Sequence, residues 1–216
     1  MHELSEEASV DIVEWLDYYA YDKFDDDKKE CSDIIESIYG NSEIRYFNNE
    51  TKLLSDLESN SFNAIILVNV LHEISPLQWG DLFATESLSC NLLNSNGKLI
   101  IVENQIIPNG EKAYTEGFIV FDVPEFKKLF GLSKYYFTET SEGRLKSHVF
   151  NKSDIERYSA DNLKDALKSL FYRSKREVED VRDKKTTYKN GMIHGFWVQQ
   201  LANVFLILNK MGIKIE

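Results

Sequence analysis

A chain of 216 residues that is 43% hydrophobic is long enough for one sizeable core plus an appendage, since a domain takes roughly 100 to 200 residues. A net charge of −11 and a pI near 4.9 exclude a surface built throughout to neutralise phosphates, which needs clustered Lys and Arg, so nucleic acid is not an expected partner. No unbroken apolar run approaches the roughly 20 residues that span a bilayer and nothing near Met1 reads as a signal peptide, so the expectation is a soluble, cytoplasmic protein without membrane partners.

In chain order, Ala8, Ile12, Val13 and Leu16 recur at helical spacing between Ser5 and Asp17, with Ser5 as N-cap and acids in the first turn. The β-prone run "YYAYD" ends on Asp22. Asp25 to Tyr39 is again helical, with Cys31, Ile34, Ile35 and Ile38 on one face and Gly40 as the stop. "EIRYF" reads as a strand, Thr51 to Leu57 as a short helix, and "NAIILVNV" as a continuously apolar strand of the kind that parallel sheets bury on both faces. Pro76 to Leu93 reads as a helix ended by "NSNG", "KLIIVEN" and "GFIVFD" as further strands, and "VPEFKKLFG" as a helix with Pro near its start and Gly past its end.

The pattern then changes. "KYYFTETSEGRLKSHVFNK" has two alternating stretches around "SEG", the signal of a hairpin and so of an antiparallel edge. Beyond it, Leu163, Leu167, Leu170, Ser174, Val178 and Val181 form one helical stripe. Ile193, Trp197, Leu201, Val204, Leu208 and Met211 form another, so two long helices should pair as a hairpin. The fold class is therefore α/β: a Rossmann-like, mostly parallel sheet with an antiparallel C-terminal hairpin, followed by a two-helix extension. The expected domains are residues 1–152 and 153–216.

Alternating β and α with a final antiparallel hairpin is the layout of class I S-adenosylmethionine-dependent methyltransferases. "FNAIILVNVLHEI" is similar to that family's fourth strand and following loop, and "LLNSNGKLIIVEN" resembles its pre-strand turn and fifth strand. The resemblance runs from about Glu6 to Phe150. In open α/β sheets ligands sit outside the carboxyl ends of the strands, so polar residues ending an apolar strand face the crevice. The resemblance then implies a cofactor set of Asp22 on the ribose hydroxyls, Asn48 or Asn49 near the adenine, and Asn69 at the crevice. It also implies an acceptor side lined by the candidate catalytic residues His72 and Glu103. A carboxylate suits the ribose because two vicinal hydroxyls can both donate to it. Catalysis would be mostly positioning, because the methyl group is already activated on a sulfonium.

The departure from the family is as informative. Its first strand and glycine-rich turn let the backbone approach the methionine part of the cofactor, yet no two of the ten glycines here stand one residue apart. Loss of a central strand leaves backbone groups unpaired. Three explanations stand: an upstream region of the same protein carries that strand, a separate chain donates it, or the sheet closed up as an enzyme role was lost. The implied partner is accordingly an upstream domain or separate chain that completes the sheet, and the C-terminal helices offer a route to homo-oligomers. The two function classes are a methyltransferase whose glycine motif is supplied elsewhere and a catalytically inactive scaffold of the same fold, for which a bacterial defence system is one setting.

Each named residue also has an ordinary reading. Asp22 could cap the next helix, His72 could pack beneath the helix near Pro76, Glu73 could be solvated, and His148 and His194 could be structural, His148 in an edge strand. Cys31 and Cys90 lack the spacing of a zinc site and read as buried structural thiols in a reducing compartment; no metal site is expected. Gln199, Gln200 and Asn203 interrupt an apolar helix and should hydrogen-bond a neighbouring helix or a partner chain. Residues 164–189 hold nine Lys or Arg against five acids, whereas residues 1–60 hold 17 acids against five bases, an asymmetry that suggests an interaction face.

Overall fold

The computed structural model describes residues 12–23, 28–107, 118–140 and 143–215. The chain divides into two compact units, Met1–Glu58 and Ser59–Glu216. The division thus falls after Glu58 and not at residue 153.

In the first unit, β1 (Ala20–Tyr21) and β2 (Tyr46–Phe47) pair in parallel. They are accompanied by α1 (Lys28–Tyr39), α2 (Glu50–Asp56) and short 3-10 turns at Ile12–Glu14 and Ser42–Ile44. Of the expected first helix, residues 5–11 lie outside the described residues, Ile12–Glu14 is a 3-10 turn, and the chain from Trp15 on is not helical. "EIRYF" yields only a two-residue strand because the 3-10 turn takes Ser42–Ile44. Helix α1 stops at Gly40, whose φ of +65° is the left-handed conformation that glycine adopts without strain. Ile35, Phe47 and Leu53 are buried in this unit. Arg45 fastens the chain beside it: its guanidinium lies over the rings of Tyr39 and Tyr19, 4.4 and 5.0 Å from their centroids, and reaches Asp17 Oδ1 at 2.5 Å.

The second unit is built on a four-stranded sheet in the order β3 (Phe62–Val68), β4 (Leu93–Asn104), β6 (Leu145–Asn151), β5 (Tyr136–Glu139). β3 and β4 are parallel, while β6 runs antiparallel to both β4 and β5. The chain is therefore mixed α/β with a mixed parallel and antiparallel sheet. Its helices are α3 (Trp79–Phe83), α4 (Leu88–Leu92), α5 (Val123–Leu129), α6 (Lys152–Ile155), α7 (Ala160–Arg182) and α8 (Tyr188–Lys210).

Three expectations are corrected here. Pro76 to Leu93 is not one helix: Ala84 is extended and the Ser87 hydroxyl accepts from the Cys90 N–H, capping a new helix. Phe118 to Asp122, from "GFIVFD", is not a strand, because its backbone bonds go to the Gln200 and Arg173 side chains and to the His72 carbonyl instead of a neighbouring strand. β6 is interior to the sheet, so His148 is not on an edge strand.

The pleat sorts the sheet residues onto two faces. On one, Ile65 and Leu67 of β3 lie beside Leu99 and Ile101 of β4, which lie beside Phe150 and His148 of β6. This face packs on Trp79, Phe83, Phe126, Leu129 and Phe130, and on Leu163, Leu167, Leu170, Val204 and Leu208 of the two long helices. Each fully buried Leu or Phe there contributes roughly 1.5–3 kcal/mol of transfer free energy. On the other face, Ile66 and Val68 of β3 and Tyr136 of β5 are 58%, 57% and 67% exposed. β3 is thus an edge strand with one open face, not the doubly buried strand that its apolar run suggests. Where β3 and β4 begin, Gly97 permits a close approach: a Cβ would lie 2.9 Å from both the Phe62 carbonyl oxygen and Leu93 Cδ2.

α7 and α8 form the expected hairpin, each 23 residues long and each capped by a hydroxyl, Ser159 and Thr187, that accepts from the N–H three residues on. Leu163, Leu167, Leu170, Val204 and Leu208 on their inner faces belong to the same core as the sheet, while Val178, Val181, Phe196 and Trp197 pack with Ile107, Phe118 and Val120 in a second cluster, so the hairpin is not a separate extension. By length and composition α8 is apolar enough to cross a membrane; a third of its most apolar window is buried within the protein.

Candidate functional site

His72 and Glu103, named from sequence as the acceptor-side pair, are brought into direct contact. His72 sits in the 3-10 turn Leu71–Glu73 just beyond β3, and Glu103 is next to last in β4. The parallel pairing carries both strands to the same end of the sheet, with Val68 beside Val102. Glu103 Oε2 lies 2.7 Å from His72 Nδ1, and Oε1 accepts from the Leu71 N–H at 2.8 Å. A carboxylate can only accept, which assigns a proton to Nδ1. This is the geometry that orients an imidazole for proton transfer. The two side chains are nevertheless 3% and 2% exposed. Phe118 closes over them, its ring edge-on to His72 with centroids 6.0 Å apart and its N–H donating to the His72 carbonyl.

Asn69 has a structural task at the same end. Its φ of +50° places it in the left-handed region, which asparagine tolerates better than most residues. Its N–H donates to the Val102 carbonyl at 2.8 Å and its Oδ1 accepts from the Asn104 N–H at 3.0 Å, extending the β3–β4 ladder beyond the last strand residue. Asn104 in turn accepts from Arg144 Nε at 3.0 Å. The remaining candidates lie in the first unit. Asp22 follows β1, half-buried, with its N–H donating to the Phe47 carbonyl at 3.0 Å. Asn48 is exposed, and Asn49 caps α2, its Oδ1 accepting from the Lys52 N–H at 3.0 Å.

Sequence reasoning missed a second polar cluster. Glu125, fully buried in the first turn of α5, takes a two-pronged bond from Arg173 of α7, at 3.1 Å from Nε and 2.8 Å from Nη2. Burial raises the Glu125 pKa, and the guanidinium offsets only part of that. The same guanidinium lies 4.9 Å from the Trp197 ring centroid and reaches the Val120 carbonyl. Gln200 of α8 accepts from the Val120 N–H at 2.9 Å and donates to the Phe118 carbonyl at 2.7 Å. The amide expected to bond a neighbouring helix thus serves a loop backbone. Asp122 caps α5 in a reciprocal box with Glu125, and Lys146 holds it at 2.8 Å through both oxygens. Burial pushes the Asp122 carboxyl up, but Lys146 and the Val123 N–H outweigh it and hold it below the usual carboxylate range. The Asp-x-x-Glu spacing was the available signal for the cap; nothing local announces Arg173 or Gln200.

His148 is fully buried against Phe126, with Nδ1 2.8 Å from the Tyr135 hydroxyl. Burial drives its pKa down to about 4 and raises that of Tyr135. Its Nε2 has no hydrogen-bond partner among the described residues. His194 accepts from Arg182 Nε at 3.3 Å, and Cys90 is buried while Cys31 is half-buried. Among the described residues no group of His, Cys, Asp and Glu is arranged to hold a metal ion. A cleft of about 400 Å³ lined by Asn60, Asn94, Ser95, Lys152, Ser153 and Glu156 lies at the start of β3 and β4, the opposite end from His72.

The residues present do not by themselves fit S-adenosylmethionine. The sequence offers no glycine-rich cradle, and Asn49, Asn69, His72 and Glu103 all commit polar atoms to internal bonds. Comparison of the chain with protein-family models, curated proteins and solved structures gives no match.

Proposed function

We propose that this chain is a methyltransferase-like α/β domain that acts as a non-catalytic interaction module, with the outer edge of β3, which pairs with no other strand among the described residues, as its point of assembly. The observation that supports this most is the state of β3: a seven-residue apolar strand, without a charged residue or proline, lies at the sheet edge with Ile66 and Val68 more than half exposed. An edge strand can take a further strand through its backbone groups, and proteins usually protect such an edge with charge or proline. The occupant is an extended segment from an upstream region or a separate chain. The strand pairing agrees with the methyltransferase layout: parallel β1–β2, parallel β3–β4 and a closing antiparallel hairpin.

A second reading is favoured by the His72–Glu103 contact. With a glycine-rich turn supplied from elsewhere, His72 and Glu103 would line the acceptor side of a domain that transfers a methyl group from S-adenosylmethionine. Calorimetric titration of the folded chain with S-adenosylmethionine and S-adenosylhomocysteine separates the two. The module reading expects no saturable heat. Micromolar binding that Asp22→Ala weakens by about tenfold or more, near 1.4 kcal/mol, would overturn it in favour of the enzyme.

A further inference from the structure

Helix α8 carries no Asp, Glu, Lys or Arg from Asn190 to Asn209. Its inward positions, among them Phe196, Trp197, Val204 and Leu208, are accounted for by the core. Its outward positions are not. Gly191, Gly195, Val198, Ala202, Phe205 and Asn209 follow one another in steps of four and three, all exposed. Alternating steps of four and three average 3.5 residues, the period of a seam that packs along a second helix with a shallow left-handed crossing. Val198, Phe205 and the flanking Leu206 are 41%, 43% and 58% exposed, and a Cβ placed on Gly191 or Gly195 would meet nothing within 4 Å. The partner helix α7, of equal length, shows what a solvated face looks like here: Asp165, Lys175, Arg176, Glu179 and Asp180 occupy its exposed side.

We propose that the outward seam of α8 is a homodimer interface, in which α8 of one copy packs antiparallel against α8 of a second. The seam is complementary to itself. An antiparallel copy centred near residue 200 lays Phe205 over Gly195, Val198 against Ala202, and Asn209 against Gly191, so the bulky end of each helix meets the small-residue end of the other. The contact is isologous and closes on two copies. Charge agrees with this choice: two chains of net charge −11 repel over most of their surfaces, and an uncharged stripe lets them meet without burying a charge. Insertion into a bilayer is the competing use of an apolar helix, but it would strip Phe196, Trp197, Val204, Ile207 and Leu208 from the core.

Sedimentation velocity of the full chain over about 1 to 100 µM should show a monomer–dimer equilibrium. Gly195→Leu adds a side chain into open space and removes a glycine from a helix interior, so it should raise the melting midpoint of the monomer while weakening the dimer by about tenfold or more. Val198→Lys should also give a monomer with unchanged circular dichroism. Mixing Gly195→Cys chains with Phe205→Cys chains should give a disulfide-linked heterodimer in good yield. A monomer at every concentration overturns the proposal, as does a dimer indifferent to both Gly195→Leu and Val198→Lys. Co-sedimentation with phosphatidylcholine–phosphatidylglycerol vesicles in place of dimerisation would assign the face to a bilayer instead.

Discussion

The two faces of the β3–β4–β6–β5 sheet are made of similar residues and meet different fates. Leu99, Ile101 and Phe150 point to one side and have no exposed surface, while Ile66, Val68 and Tyr136 point to the other and are more than half exposed. Residue type does not separate them: a β-branched residue alternates between the two environments within β3 and β4 themselves. The covered face is defined by elements far away in sequence, α5, α7 and α8, which bring both the apolar contacts and the Glu125–Arg173 pair. An apolar side chain is buried when something distant in the chain arrives to bury it, and on the open face nothing among the described residues does so.

That contrast can be broken from the covered side first. Glu125→Ala would leave the Arg173 guanidinium inside without its carboxylate and remove half of the α5 capping box; loss of about 3–5 kcal/mol is expected, read as a lower urea midpoint. Ile101→Ala, at a site with 0% exposure, should cost about 2–5 kcal/mol with an unchanged denaturant slope. A smaller cost would mean that the core relaxes around the cavity.

His148 gives the covered face a pH signature. Its folded-state pKa of about 4 lies below the ordinary value of 6.5, so the stability from keeping it neutral is fully present above pH 6.5 and is lost as pH falls toward 4. The total is up to about 3 kcal/mol. Melting curves between pH 7 and pH 4 should show this decline, and His148→Gln should flatten it. If the slope survives that substitution, another group is titrating. The smallest effect belongs to the open face: Ile66→Lys should shift stability by no more than about 0.5 kcal/mol while placing a charge on the β3 edge. A cost of several kcal/mol would show that this face is covered in the folded chain after all, and the two faces would then no longer differ.

Local pattern made most of the second unit legible. The hairpin signal around "SEG", the parallel strands "AIILV" and "KLIIVEN", and both long helical stripes all stand where periodicity puts them. His72 and Glu103 could be placed on one side of the crevice in advance because they lie just beyond and at the carboxyl ends of neighbouring parallel strands; their direct contact could not. What escaped was decided at long range. An apolar run reads the same whether one face or two will be covered, so the exposure of β3 was invisible. "FIVFD" is a short apolar run like that of a buried strand, yet its backbone is held by Gln200 and Arg173, 80 and 53 residues away from Val120. The break within Pro76 to Leu93 turned on the Ser87 cap, a local signal hidden inside a stronger apolar one. Asn49 and Asn69 have the polar identity a cofactor site would want, but a helix start and a strand end want it too.

The bonds that α7 and α8 send to residues 118–125 bear on how this molecule could be inherited. A hairpin attached only at its ends could be deleted, exchanged or grafted by recombination without harm to the rest. Here Arg173 and Gln200 hold the loop that follows β4, and Leu163, Leu167 and Val204 complete the packing of the sheet. A crossover near residue 153 would leave both halves with exposed apolar surface and unmet polar groups. Residues 59 to 215 can therefore change only as one lineage, with variation in the long helices matched step by step to variation in the sheet.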